Sequence, residues 1–339
     1  MLVQAATGNT SIKLEGILWI KASGKWLSDA MDDEILVPVN LAETRRRIGL
    51  NIDPAGQSAV VGGKTLGTSV ETAMHAVLPH RVVLHVHSVN TIALAIREDG
   101  VEELSRRFEG LRWQWIPYVP SGLQLAGAVE AALKNDPDTE VLVLANHGLV
   151  VGADNCRSAE ALLRDVERRV AGPARRSPEP DWALLSRLAG GGMRRGIWRV
   201  PPSIAIHAMG TDPVTRGFIS GGVLYPCQAI FLTTQAKTFG ASVSADELAT
   251  VEEPFVMIEG AGTLVRQRPN PTESATLSGL ALVLQRIPAG APLRYLNDAE
   301  VRGLLCADVY HYREVVEDNG AGHLAYRPTQ LLNTEAPVV

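Results

Sequence analysis

Cysteine is scarce in this sequence. Cys156, Cys227 and Cys306 are the three thiols of a 339-residue chain, and no two of them form a Cys-x-x-Cys pair. A scattered, odd-numbered set supports neither a disulfide framework nor a cysteine zinc site, and a reducing cytoplasm is the expected compartment. Excess positive charge is also missing. The formal net charge is -5, whereas a general nucleic-acid binder carries a basic balance. Two local basic clusters, Arg45 to Arg47 and Arg164 to Arg169 with Asp165 and Glu167 interleaved, read as solvated helix faces. No apolar run reaches the roughly eighteen residues that span a membrane. The opening MLVQAATGNTS has neither the basic start nor the apolar centre of a signal peptide. Internal repeats and low-complexity tracts are absent. Nucleic-acid and membrane partners are therefore not expected.

With 46% apolar and 20% charged residues, the composition is that of an ordinary soluble globular protein, long enough for one large domain or two ordinary ones. The stretch AGPARRSPEPDW (171–182) is rich in Pro and Arg and reads as a connection between two halves. The predicted division is a domain over 1–172, a linker over 173–182 and a second domain over 183–335. In the first half, GILWIKASG and RVVLHVHS are strand-like, and EVLVLANHGLVVG reads as two short strands around a turn. VETAMHAVL, LAGAVEAALKN and SAEALLRDVERRV carry apolar residues at helical spacing. Strands alternating with amphipathic helices predict an α/β layered domain. In the second half QAIFLTTQ, PFVMIEG and GTLVRQ are predicted strands. Ser244 with Glu247, and Asn297 with Glu300, have capping-box spacing. IEGAGTLV (258–265) lacks the third glycine of a nucleotide loop and reads as a tight strand-to-strand turn.

The chemistry gathers around PHRVVLHVHSVN (79–90). In a strand, alternate side chains share a face, so Val83, His85 and His87 point together. Two imidazoles on one face can chelate a metal ion; one buried and one surface histidine would give the same pattern. His147, at the end of an apolar strand just before Gly148, is placed to reach a neighbouring strand and is a candidate third ligand. Glu71, at the start of a predicted helix, is either a favourable charge at the helix dipole or a general base beside the metal. His75, one turn later, reads as a packing or supporting residue rather than a fourth ligand. Three small-residue loops, ATGNTSIK (6–13), KASGKW (21–26) and GTSVE (67–71), offer backbone N–H groups and hydroxyls to an anion.

Taken together, GNTSIK, LWIKASGKWL, SVETAMHAVLPHRVVLHVHS, PYVPSG and NHGLVVG, in this order over roughly residues 5 to 170, resemble the class II aldolase/adducin family. The resemblance implies an α/β/α layered domain around a mainly antiparallel sheet, here with a smaller mixed α/β C-terminal domain. It also implies a homotetramer with active sites between subunits, a divalent metal (zinc by default) and a sugar-phosphate substrate. By resemblance the metal ligands are His85, His87 and His147, and the acid/base is Glu71. The phosphate positions are Asn9, Ser23, Gly24 and Ser69, and Tyr118 matches a proton-donating tyrosine that reaches across the subunit boundary. The implied activity is retro-aldol cleavage of a phosphorylated ketose. Epimerases, decarboxylases, dehydratases and the non-enzymatic adducins share the family. Three departures stand out: only a few residues precede the GNTS loop, the Glu71-to-His85 gap is short, and Cys227 and Gln228 stand where an Asp and a His often follow the proline in the larger aldolases.

Overall fold

The structure is a computed structural model, and it describes residues 1–56, 60–62, 66–191, 196–267 and 270–305. The end of the predicted second domain, 306 to 335, and Cys306 lie outside the described residues. Among the described residues the strands form two sheets. The larger is built from β1 (Asn9–Leu14), β2 (Ile17–Lys21), β3 (Leu36–Asn40), β4 (Val82–Val86), β5 (Trp113–Ile116), β6 (Val141–Leu144) and β7 (Gly148–Ala153). Its order is β3-β2-β1-β4-β7-β6-β5. Every neighbouring pair is antiparallel except β5 with β6. The protein is thus a mixed α/β fold around a mainly antiparallel sheet, with a second, smaller sheet.

Side-chain alternation explains the layering. Val141, Val143, Leu149 and Val151 face one core, with Leu104, Phe108, Leu163 and Val166 from covering helices. Leu142, Leu144 and Val150 face the other, with Met74, Leu125 and Val129. Period-2 burial on both faces is what a sheet between two helical layers requires. Val83 points into the second core and Val86 into the first, so β4 lies at the centre with both faces covered.

The smaller sheet has the order β8-β11-β10-β9, with β8 (Trp198–Arg199), β9 (Thr238–Phe239), β10 (Phe255–Ile258) and β11 (Gly262–Arg266). β10 and β11 form the hairpin expected at IEGAGTLV, and both predicted capping boxes are formed. The predicted strand QAIFLTTQ is instead the end of a helix, Pro226–Phe231, followed by turns. A four-residue apolar run fits strand or helix equally; Pro226 at the first helical position sets a helical φ, and Cys227 and Phe231 then reach one core. At the other end of the chain, the GNTS loop passes into strand from Asn9, earlier than expected. β3 and β5 had no clear strand signal.

The two halves share a core. Val89, Ile92, Ala93 and Ile96 pack with Ile206, Met209, Leu277, Leu280 and Leu284. Helix Val89–Ala95 is consequently buried on nearly every side, with the first sheet beneath and helix Pro271–Arg286 above. That position accounts for its predominantly apolar composition, Val89, Ile92, Ala93, Leu94 and Ala95. The stretch read as a linker has no helix or strand over 171–181. It is held in place by Arg175, which donates to Asp212, Thr215 and the Leu284 carbonyl.

Gly210 sits in helix Ile204–Thr211 where a Cβ would collide with the Gly262 carbonyl oxygen. Backbone cannot yield as a side chain tip does, so Gly210→Ala is expected to cost about 2 kcal/mol or more of unfolding free energy. Urea denaturation measures this, and an unchanged midpoint contradicts the packing described.

Candidate metal centre

β4 delivers His85 within the strand and His87 one residue past its end. β6 and β7 turn at Ala145–His147, and the third imidazole comes from that turn. The three rings stand with centroids 4.9 to 5.0 Å apart, each edge-on to the next. One ring nitrogen of each lies within 4.8 Å of the others, and all three residues are buried. Nε2 of His85 and Nε2 of His87 are 3.1 Å apart, close to the ~3.3 Å edge of a tetrahedron with metal–nitrogen bonds of about 2 Å. Nδ1 of His85 faces the Leu149 carbonyl at 3.1 Å, which fixes its hydrogen there and leaves Nε2 toward the cluster. Three convergent imidazoles with a carboxylate beside them fit a divalent cation.

Glu71 is that carboxylate. It caps helix Thr72–Val77 with its backbone, and its side chain turns inward. Oε2 lies 3.2 Å from His85 Nε2, and Oε1 lies 3.2 Å from His147 Nε2. Burial alone would push its carboxyl up, but the adjacent His85 and His147 rings hold it well below the ordinary range. Asn9 donates to Glu71 Oε2 and to Ser69 Oγ, both at 2.8 Å, while Ser121 Oγ donates to Oε1 at 3.4 Å. Burial and the neighbouring imidazoles push the His87 imidazolium well below its usual value, so the ring is held neutral.

A cavity of about 250 Å³ opens over this group. Asn9, Ser23, Gly24, Ser69, Glu71, Tyr118, His87 and His147 all line it, and His85 lies beneath. Ser23 and Gly24 belong to the KASG turn, where Gly24 adopts φ +74°. Gly8, at φ +68°, lets the first loop press on β4: a Cβ there would stand 2.7 Å from the His85 carbonyl oxygen. Tyr118 faces the cavity of its own chain, with its buried hydroxyl unpartnered among the described residues and Arg294 over its ring at 5.3 Å. Burial, chiefly, raises its phenol to about 12. A larger, shallower depression of about 690 Å³ lies by Arg266, Glu252 and Glu253 beside the second sheet, and no histidine of the cluster lines it.

His75 is not among the clustered ligands. Its Nδ1 meets Ser11 Oγ at 2.7 Å and its Nε2 meets Asn9 Oδ1, so it orients the asparagine that orients Glu71. Lys21 is a residue that the sequence reading missed. It is fully buried at the end of β2 and lines the cavity. Its ammonium donates to the carbonyls of Ala6, Ala22 and Lys25, tying two of the small-residue loops together. A lysine closing the apolar run LWIK was the available signal. Cys227, which stands where an Asp or a His often follows the proline in the larger aldolases, has Sγ 3.2 Å from Nδ1 of His87.

The sequence profile described as class II aldolase and adducin N-terminal domain matches residues 1–171. The chain belongs to this family. A similar solved structure is the N-terminal class II aldolase domain of a conserved protein from Thermoplasma acidophilum, 22% identical, covering 49% of this chain and 82% of that one at a TM-score of 0.43. The L-fuculose-1-phosphate aldolase of Thermus thermophilus is 19% identical, covering 50% and 82% at a TM-score of 0.34. YgbL of Klebsiella pneumoniae, titled a putative aldolase/epimerase/decarboxylase, is 21% identical, covering 50% and 78% at 0.36. The uncharacterized oxidoreductase YuxG of Bacillus subtilis (strain 168) is 26% identical over 211 residues, 54% of this chain. The match spans only 30% of YuxG's own length.

Burial, first of all, lowers His75 to about 3, from 6.5. A depressed folded value means that the unfolded chain binds the extra proton first, so this contribution is complete above pH 6.5 and is lost as pH falls toward 3. His75→Gln should flatten the decline of stability between pH 6 and 4 by up to about 1.4 kcal/mol per pH unit. Denaturant midpoints across that range, equal in slope for both proteins, would contradict this.

Proposed function

We propose that this protein is a metal-dependent carbon–carbon lyase that cleaves a phosphorylated ketose, or a related sugar, by a retro-aldol reaction. The products are an aldehyde and a dihydroxyacetone-phosphate-like fragment. The observation that carries the proposal is the Glu71 carboxylate, held 3.2 Å from two of three convergent imidazoles that border the cavity. A divalent ion held by His85, His87 and His147, zinc by family resemblance, would supply Lewis acidity at the substrate carbonyl.

The chain's own groups do the rest. Glu71 moves the proton on the carbon next to the carbonyl, and the amide of Asn9 fixes the direction of its oxygens. As the carbon–carbon bond breaks, the substrate hydroxyl that becomes the aldehyde oxygen loses its proton through the Tyr118 phenol, which returns it to that oxygen in the reverse condensation. Tyr118 lines its own chain's cavity, so this step calls for no residue from a second subunit. Ser23, Gly24 and Ser69 seat the phosphate through hydroxyls and backbone N–H groups, with Asn9 at their edge; anchoring that end fixes the reacting carbons. In this reading residues 1–172 are the catalytic unit, 173–182 its connection and 183–335 a second unit. The protein works as a cytoplasmic homo-oligomer, a tetramer by resemblance. The oxidoreductase name of YuxG stays with YuxG, most of whose length has no counterpart here.

Elemental analysis of the purified protein should find about one divalent ion per chain, and His85→Ala should lose it. Wild type should release dihydroxyacetone phosphate from a ketose-1-phosphate panel. Glu71→Gln should keep the ion and lose turnover by at least about a hundredfold, the lower range for a general base. A fully active Glu71→Gln protein would sink the role of Glu71. Metal without cleavage would redirect the assignment to an epimerase, decarboxylase or dehydratase, and absence of metal to an adducin-like, non-enzymatic role.

A further inference from the structure

Three contacts cross from the second half of the chain into the histidine cluster, and all three leave the neighbourhood of one short segment. The first is the thiol of Cys227, 3.2 Å from Nδ1 of His87. This is the ring nitrogen away from the cluster, since Nε2 is the one facing His85. The sulfur is therefore not a fourth ligand; it meets the far side of a ligand. The second contact is a relay. The hydroxyl of Tyr225, a fully buried residue, donates to Gln4 Oε1 at 3.0 Å, and Gln4 Nε2 donates to the His87 carbonyl at 3.2 Å. The third holds the residue before His147. Asn146 adopts φ 51°, a conformation that L side chains rarely take. Its amide donates to the carbonyls of Leu224 and Arg294, each at 2.8 Å, and its oxygen accepts from Arg294 at 2.9 Å.

We infer that Leu224–Cys227, together with Arg294, is a brace built by the second half of the chain to aim His87 and His147, with Cys227 and Tyr225 as positioning residues. This rests on the metal reading of the cluster given above. A histidine that binds metal through Nε2 must carry its hydrogen on Nδ1, and that N–H needs a buried acceptor. For His85 the acceptor is the Leu149 carbonyl, from the same half. For His87 it is the Cys227 sulfur, donated to by Nδ1–H. The second half thus acts on the ligands from behind. A loosely tethered partner-binding module would not make buried contacts of this kind.

The test uses the full-length protein with zinc and cobalt, measuring affinity by competition with a chelator and recording the visible absorption of bound cobalt. Circular dichroism and thermal melting report whether each variant is folded. Cys227→Ala removes the acceptor and should weaken metal binding about 10-fold to 100-fold with a changed cobalt spectrum. Cys227→Ser, which restores an acceptor, should recover most of that loss. Tyr225→Phe, deleting one hydroxyl, should weaken binding by a smaller factor. Asn146→Gly keeps the positive φ and deletes only the side-chain bonds, so it probes the His147 arm. Folded variants that all bind metal with wild-type affinity and spectrum overturn the brace while leaving the metal reading intact. Wild type that binds no metal overturns both. Loss of aldol cleavage with normal metal binding in wild type bears on the reaction and leaves the brace standing.

Discussion

Three imidazoles with their Nε2 edges turned to one point form an arrangement that does not hold itself together. Imidazole rings gain little from one another, and each far nitrogen is a polar group taken out of water that must find a partner. The remainder of the site can be understood as the answer to that constraint. β4 and the β6–β7 turn bring the backbones close; Gly8 and Gly148 permit the close approach, a Cβ at Gly148 standing 2.6 Å from the Val86 carbonyl oxygen. The Leu149 carbonyl and the Cys227 sulfur then take the outward nitrogens of two rings. Glu71 supplies negative charge, and Asn9, Ser121 and His75 keep its oxygens from rotating.

The cavity inherits its two-sided character from the two halves. The floor and the small-residue loops come from the first half, where Lys21 locks two loops by filling three carbonyls. The opposite wall includes Pro226, Cys227, Ile230 and Phe231 from the second half. A polar side therefore meets an apolar one, and a bound molecule with both kinds of surface is oriented by that difference before any single hydrogen bond is counted.

Much of the first half was legible in the sequence because its signals are local. Alternation in RVVLHVHS and EVLVLANHGLVVG placed the histidines on strand ends, and small residues marked the loops. The capping boxes at Ser244 and Asn297 were equally readable. What the sequence hid depends on contacts between distant residues. QAIFLTTQ has β-like composition, and Pro226 with the shared core decides for helix. Lys21 looks like any charged residue until its three carbonyl partners, from Ala6 to Lys25, are seen. Asn146 opens the NHGLVVG motif, but nothing in the sequence tells what its amide binds, and Gln4 and Tyr225 carry no comparable signal. Their roles exist because residue 4 meets 225 and residue 146 meets 224 and 294.

Helix Val89–Ala95, covered on one side by the first sheet and on the other by helix Pro271–Arg286, has a consequence in time. During synthesis its outer apolar face exists long before its cover does. At ordinary elongation rates the intervening chain takes about ten to thirty-five seconds to appear. For that interval the first half stands with a greasy helix in water, and the completed histidine cluster lacks its outer support. Order of manufacture thus leaves that apolar face uncovered, and the site without its outer support, until the last long helix has docked.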